Sequence, residues 1–333
     1  MTVSCDMPND VRIMSEAIRL LGERREARID LGNCGTAMRF LTAYCAQLDG
    51  KTVILEGVER MHHRPIGQLV DALREIGADI EYLGEEGFPP LRIKGCILDK
   101  HRIVTINNPQ STQFVSALLL IGANVQTDST SPYITLTREL IQHYTTLHNS
   151  IQRYTIEKDW SSAAFWYEYV ALQGGEITLP GLSRDSLQGD KVVADIFAHL
   201  GVHTTYTTEG ITLSPIAYSE ASYSPLNGRP IAAQAASRSK ILVQDFGNCP
   251  DLYPAVALTC ERLGVELHAT GVESLPLKES DRLRAVREHR TDADHRMARA
   301  LLIAGYEVDD TACISKSYPQ FIEQWKSVNT SNE

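Results

Sequence analysis

Leu31-Gly-Asn-Cys-Gly-Thr-Ala-Met-Arg39 sets two glycines, a hydroxyl and a cation where a strand should give way to a helix. Gly32 and Gly35 let the backbone come close to a ligand, Thr36 can cap the helix, and Arg39 adds a permanently charged fork. A second run, Lys278-Glu-Ser-Asp-Arg282, brings two more cations and a carboxylate. The two runs read as a cradle for a small polyanion with an acid/base group beside it, because a helix N-terminus favours phosphate or carboxylate.

Around these runs a helix-then-strand pattern recurs. Residues 65–76 give the clearest helix: Pro65 stands at its first position, Ile66, Leu69, Val70, Leu73 and Ile76 share one face, and Gly77 ends it before a strand at 78–83. The pattern returns at 191–200, 252–263 and 295–304, closed by Gly201, Gly264 and Gly305. Alternation marks strands at 91–93, 103–106, 154–157, 176–179, 202–207 and 210–213, and residues 217–240 read as an exposed loop. Helices alternating with strands at irregular spacing give an α/β class, with a doubly wound sheet as the default from periodicity alone.

A chain of 333 residues has room for two domains. Its net charge of −10 argues against nucleic acid or an anionic membrane as partner, so cations that handle anions must be concentrated locally. Seven cysteines without a C-x-x-C spacing fit a reducing cytosol, and Cys34 reads as a small packing residue. The start shows neither a basic nor an apolar leader region, and no apolar run approaches the roughly 18 residues of a membrane span, so a cytoplasmic protein is expected. Nothing has metal-ligand spacing, and neither metal nor cofactor is expected.

Several groups have a plain reading beside a functional one. Asp251 after Pro250 can complement a helix dipole, Ser111–Gln113 can cap a helix, and Lys316 can be an ordinary surface lysine. Glu279 can be part of a solvated charge run, or be held ionised by Lys278 for proton exchange. His295 near a helix start is more often structural, and Arg296 is the better anion ligand.

The wording of the runs is also specific. Leu31–Arg39 is similar to L-G-N-A-G-T-A-M-R and Lys278–Arg282 to K-E-T-D-R, two signatures of the 3-phosphoshikimate 1-carboxyvinyltransferase (EPSP synthase) family. Further stretches follow in that family's order, among them 60–71, 111–113, 132–133, Ser186-Leu-Gln-Gly-Asp190, 250–251, 294–298 and 316–319. The resemblance implies a fold of two similar domains built from βαβαββ units with an interdomain cleft, placed here as 1–156 and 157–333. It implies transfer of the enolpyruvyl group of phosphoenolpyruvate to the 5-hydroxyl of shikimate 3-phosphate, without cofactor, in a typically monomeric enzyme.

By the same resemblance Asp251 takes the hydroxyl proton, Glu279 exchanges a proton with the phosphoenolpyruvate methylene, and Lys278 and Arg282 contact substrate anions. Arg39, Arg64, Arg296 and Lys316 match phosphoenolpyruvate ligands, with His295 neighbouring. Asn33 and Gly35 shape the pocket floor, and Thr36 is expected among the substrate-binding residues. Ser111, Thr112, Gln113, Tyr133 and, with a weaker claim, Thr130 match the grip on shikimate 3-phosphate. A small floor at Gly35 implies sensitivity to glyphosate.

The chain departs from the family in lacking an opening Lys-Ser…Arg segment, and its joins at 22–31, 144–156 and 282–294 are abrupt. Incomplete units would leave sheet edges unpaired. Two other readings therefore stand beside the transferase: a relative that binds phosphorylated ligands without turnover, and the sister transferase acting on UDP-N-acetylglucosamine, against which the wording of the two signatures speaks.

Overall fold

The computed structural model describes residues 8–147, 156–216, 222–223, 230–231 and 241–330. Contacts divide the chain into two compact units, Met1–Ile151 with Ser315–Glu333, and Gln152–Ile314. The division falls close to the expected boundary at 156, but the C-terminal segment joins the first unit instead of continuing the second to 333.

In the first unit, helix α1 (Asn9–Glu23) precedes strand β1 (Glu26–Asp30), α2 (Gly35–Ala46), β2 (Thr52–Glu56), α3 (Gly67–Glu75), β3 (Asp79–Tyr82) and β4 (Leu91–Lys94). These strands form one sheet in the order β1-β2-β4-β3: β1 runs parallel to β2, and β4 lies antiparallel to both β2 and β3. That is one complete βαβαββ unit. The helix expected to begin at Pro65 starts two residues later, at Gly67 with Ile66 as N-cap, because Glu59–His63 forms a separate 3-10 turn.

Strand β5 (Ile103–Thr105), α4 (Thr112–Leu120), β6 (Asn124–Gln126) and α5 (Pro132–Leu147) follow in the same unit, with β5-β6 as a parallel pair, the only strands of that sheet among the described residues. The first unit's core includes Leu31, Met38, Leu41, Leu55, Leu69 and Phe114. Helix α2 is buried along most of its length.

The second unit runs α6 (Trp160–Gln173), β7 (Ile177–Pro180), α7 (Val193–His199), β8 (Val202–Tyr206) and β9 (Gly210–Pro215), with β7-β9-β8 as an antiparallel sheet. After a short pair, β10 (Ser222–Tyr223) with β11 (Pro230–Ile231), come β12 (Ile241–Asp245), α8 (Tyr253–Leu263), β13 (Glu266–Thr270), α9 (Arg282–Glu288) and α10 (His295–Ile303). Strands β12 and β13 form another two-stranded parallel sheet. The final helix, α11 (Phe321–Thr330), belongs to the first unit. Residues 154–155 of the expected strand at 154–157 lie outside the described residues, and Ile156 and Glu157 lead into α6 without forming a strand; most of the loop at 217–240 also lies outside the described residues.

Helix α6 has no continuous polar face and, apart from half-buried Ser162, is buried from Trp160 to Leu172, packed by α7, α8 and α10, as such a helix must be. Glu168 sits in its middle, fully buried, and neither carboxylate oxygen has a hydrogen-bond partner among the described residues. Burial holds this carboxyl well above its ordinary range. The folded state therefore keeps the proton that the unfolded chain loses near about pH 4.3. Stability from this site is complete below that pH and falls as pH rises towards the folded value. Glu168→Leu is expected to stabilise the protein by about 1–3 kcal/mol at neutral to alkaline pH. Thermal unfolding followed by circular dichroism checks this: a smaller gain at about pH 5 than at about pH 8 is required, and an equal gain at both refutes the assignment.

Candidate active site

The first unit gathers its cations where β1 ends. Asp30 Oδ1 accepts from Gly32 N (2.8 Å), Gly32 takes the left-handed φ of +54°, and the chain turns into α2. Cys34, and not Thr36, caps this helix: its Sγ accepts from Ala37 N at 3.4 Å. Burial pushes the Cys34 thiol up to about 12, aided by Asp10, so it packs and caps without being a nucleophile. Thr36 instead accepts from Gln113 Nε2 (2.9 Å), while Gln113 Oε1 accepts from Arg39 Nη1 (2.9 Å). Ser111 is the N-cap of α4, its Oγ accepting from Gln113 N. Thr112, Gln113 and their cap are thus tied to Arg39 across α2 and α4.

Arg39 and Arg64 are both nearly buried. Burial and then the neighbouring Arg64 lower the Arg39 guanidinium to about 9. Its Nε has no hydrogen-bond partner among the described residues, and its guanidinium lies over Phe114. Arg64 Nη1 and Lys316 Nζ both donate to the Asn33 carbonyl, at 3.3 and 3.1 Å. Lys316, expected in the second lobe, therefore lies within the first-unit cluster, with Asp10 at 3.8 Å as a carboxylate neighbour. Three cations beside one carboxylate suit an added anion. Tyr133 lies in the first turn of α5, its backbone N–H donating to Ser131 Oγ, and Thr130 just before it is exposed.

Gly35 carries a steric requirement. A Cβ there would stand 2.5–2.6 Å from the Arg64 guanidinium, so only hydrogen lets Arg64 lie on the head of α2. Gly35→Ala is expected to displace Arg64 and raise KM for an anion bound there by about tenfold or more, with little change in melting temperature. Unchanged steady-state KM would remove Arg64 from the site.

The second unit assembles a denser network. Asp251, in the 3-10 turn Pro250–Leu252 that leads into α8, meets Arg282 Nη1 (2.6 Å), Arg296 Nη2 (2.9 Å) and Lys278 Nζ (3.6 Å). Burial pushes its carboxyl upward, but Arg296, Lys278 and Arg282 outweigh that and hold it well below the usual range. Asp294, fully buried, caps α10 by accepting from Arg296 N (2.9 Å), and its Oδ2 accepts from Arg282 Nε (2.8 Å) and Ser280 Oγ (3.1 Å). His295 Nδ1 lies 2.6 Å from Glu279 Oε2. Burial lowers the His295 imidazole below its ordinary value, although Glu279 pulls the other way. Lys278 thus reaches Asp251, and Glu279 reaches His295.

Donor atoms of Glu279, Asp294 and His295 lie within 4.8 Å of one another, a spacing that could hold a metal. Arg282, Arg296 and Arg299 act on the same groups, so positive charge is already supplied there by the protein. Sequence reasoning passed over Asp10 and Asp294 as members of these clusters. Asp294 carried a signal, an aspartate opening a helix immediately before His295 and Arg296; Asp10 carried none, since its role depends on a lysine 306 positions away.

The sequence profile of EPSP synthase (3-phosphoshikimate 1-carboxyvinyltransferase) matches residues 2–289. The chain belongs to the EPSP synthase family. Among curated relatives, the 3-phosphoshikimate 1-carboxyvinyltransferase of Bacteroides fragilis is 36% identical over 377 positions, covering 95% of this chain and 85% of that protein. Those named alike from Cellvibrio japonicus and Colwellia psychrerythraea are 31% and 29% identical, covering 91% and 92% of this chain and 80% of each relative. Two solved structures of EPSP synthase from Acinetobacter baumannii share the fold, with TM-scores of 0.59 and 0.57 at 18% identity, covering 90% of this chain and 78% of theirs. The match to the B. fragilis protein spans more positions than the 333 residues of this chain, so that EPSP synthase carries internal residues this member skips. The join at 144–156 begins at the end of α5 and that at 282–294 contains α9; among the described residues the sheets of β6 and β13 have two strands where β1-β2-β4-β3 has four.

Proposed function

We infer that this chain performs its family's reaction, moving the enolpyruvyl group of phosphoenolpyruvate onto the 5-hydroxyl of shikimate 3-phosphate with release of phosphate, on the route to aromatic amino acids. The observation that carries the assignment of roles is the carboxylate of Asp251 bound by Arg282, Arg296 and Lys278. A carboxylate held so far below its usual range is a weak base. Substrate anions that engage these cations weaken their hold on Asp251 and raise its proton affinity, so the base is released only when substrates are bound.

In this reading Asp251 then accepts the 5-hydroxyl proton, and Glu279, oriented by His295, exchanges a proton with the methylene carbon. Lys278, Arg282 and Arg296 stabilise charge developing on the tetrahedral intermediate. In the first unit Arg39, Arg64 and Lys316 take the anion of phosphoenolpyruvate over the floor formed by Asn33 and Gly35, with Thr36 among the substrate-binding residues. Ser111, Thr112, Gln113, Tyr133 and Thr130 hold shikimate 3-phosphate.

Phosphate release that requires both substrates tests this reading, and glyphosate is expected to suppress it by competing with phosphoenolpyruvate. No release with shikimate 3-phosphate overturns the transferase reading, and release with UDP-N-acetylglucosamine instead reassigns the acceptor. The same reading takes the protein as a cytoplasmic monomer needing neither cofactor nor metal, and sedimentation tests the oligomeric state. Among the described residues no helix is long and apolar enough to cross a membrane.

A further inference from the structure

The abrupt join between Arg282 and Asp294 is closed by α9 and the short connection 289–293. Three residues of that connection, His289, Asp292 and Ala293, take left-handed φ values of +51°, +46° and +57°. None is glycine, so each costs backbone energy and persists only where its surroundings hold it. The His289 ring stacks on Tyr306 with centroids 4.0 Å apart, and its Nε2 lies 2.8 Å from Glu261 Oε1 on α8. Asp292 accepts from Arg284 Nη2 and Arg290 Nε, both at 3.1 Å.

Thr291 stands between them, fully buried, and the reaction above does not use it. Buried Thr42 and Thr259 satisfy their hydroxyls on carbonyls of their own helices, four residues back. Thr291 reaches away instead: its Oγ1 donates to Oδ1 of exposed Asp309 at 2.5 Å, and its carbonyl accepts from Asp294 N at 2.9 Å. From Asp294 the hydrogen bonds continue without a gap. Its Oδ2 accepts from Arg282 Nε and its Oδ1 from Arg296 N, and Arg282 Nη1 and Arg296 Nη2 both hold Asp251. A hydroxyl and a carboxylate outside the site are thereby joined to the two arginines inside it.

We propose that Thr291 is a positioning residue: tied to Asp309, it fixes the backbone at Asp294, and through Asp294 it aims the guanidiniums of Arg282 and Arg296. The proposal rests on the reading that these two cations stabilise charge developing on the tetrahedral intermediate, so its effect falls on kcat. With the tie cut, the left-handed residues are free to relax and Asp294 moves with them. The arginines then lose the aim that a preorganised site requires.

The test is steady-state phosphate release, at a temperature where every protein is fully folded, in wild type, Thr291→Val, Thr291→Ser, Asp309→Ala and the double variant Thr291→Val with Asp309→Ala. Valine keeps the shape and removes the hydroxyl. It should lower kcat by at least about fivefold with KM for both substrates within about threefold, and serine should bring kcat back to within about twofold of wild type. Asp309→Ala should match the valine variant, and the double variant should lie within about twofold of either, because one hydrogen bond can be lost only once. A smaller fall in kcat, no rescue by serine, or effects that multiply in the double variant overturn the proposal; a lower melting temperature alone is what a purely structural threonine gives.

If Thr291→Val fails to fold, Asp309→Ala, at an exposed position, decides by the same limits. If wild type releases no phosphate, the transferase reading falls instead. Hydrogen exchange at the Arg296 amide, which donates to Asp294 Oδ1, then tests the positioning alone. In Asp309→Ala it should speed up by at least about fivefold more than exchange in the β8-β9 ladder, and a smaller difference overturns the proposal.

Discussion

Glu279→Gln lowers kcat by about 10²- to 10⁴-fold, the range of a lost general acid or base, and leaves KM for both substrates within about threefold. The variant keeps the shape of the side chain and the neighbouring cations Lys278, Arg282 and Arg296, so anion binding persists. What it removes is the carboxylate oxygen 2.6 Å from His295 Nδ1. Burial keeps the imidazole below its ordinary value, and the two other carboxylates of the cluster are engaged elsewhere: Asp294 by Arg282, Ser280 and the head of α10, and Asp251 by Arg282, Arg296 and Lys278. Steady-state phosphate release with each substrate varied in turn separates the two constants. An unchanged kcat takes Glu279 out of the mechanism, and a rise in KM alone makes it a binding residue.

Arg282→Met destabilises the protein by about 3–5 kcal/mol at neutral pH, a large part of the stability of an ordinary domain. The Arg282 side chain is 2% exposed and joins Asp251 to Asp294, whose own side chain is wholly buried. Methionine fills much of the volume but leaves both carboxylates short of their shared cation. Asp251 and Asp294 have folded values below their ordinary range, so the stability they contribute is present above about pH 4 and is lost as pH falls through those lowered values. In the variant both carboxyls are easier to protonate, and its deficit therefore shrinks towards about pH 4. Urea unfolding across this range checks the sign. A deficit below about 1 kcal/mol, or one independent of pH, would show that the pairing is offset by its own desolvation.

The sequence made the chemistry more legible than the architecture. Arg39, Arg64, Lys278, Arg282 and Arg296 stand in short runs whose glycines, caps and charges have local causes, and each falls in one of the two clusters described above. Helices with a single apolar stripe, such as α3 and α10, were visible for the same reason. Helix α6 was not, because a segment with no continuous polar face shows no period. The placement of Lys316 with Asn33 and Asp10 was equally hidden, since no local pattern records which unit a returning chain segment joins. Asp251 could be a dipole partner or a base on sequence grounds; its three cations are visible only in three dimensions.

The parallel ladders β5-β6, three residue pairs long, and β12-β13, five pairs long, set how this protein comes apart. Ile103 on the first, and Ile241 and Val243 on the second, hold large apolar side chains in solvent. Amide hydrogens on these ladders should exchange through local opening well before those of β1-β2-β4-β3, so warming loosens the protein in stages before its helical interiors yield. The parts that fray first lie next to Ser111 and Asp251, so inactivation on heating should run ahead of bulk melting.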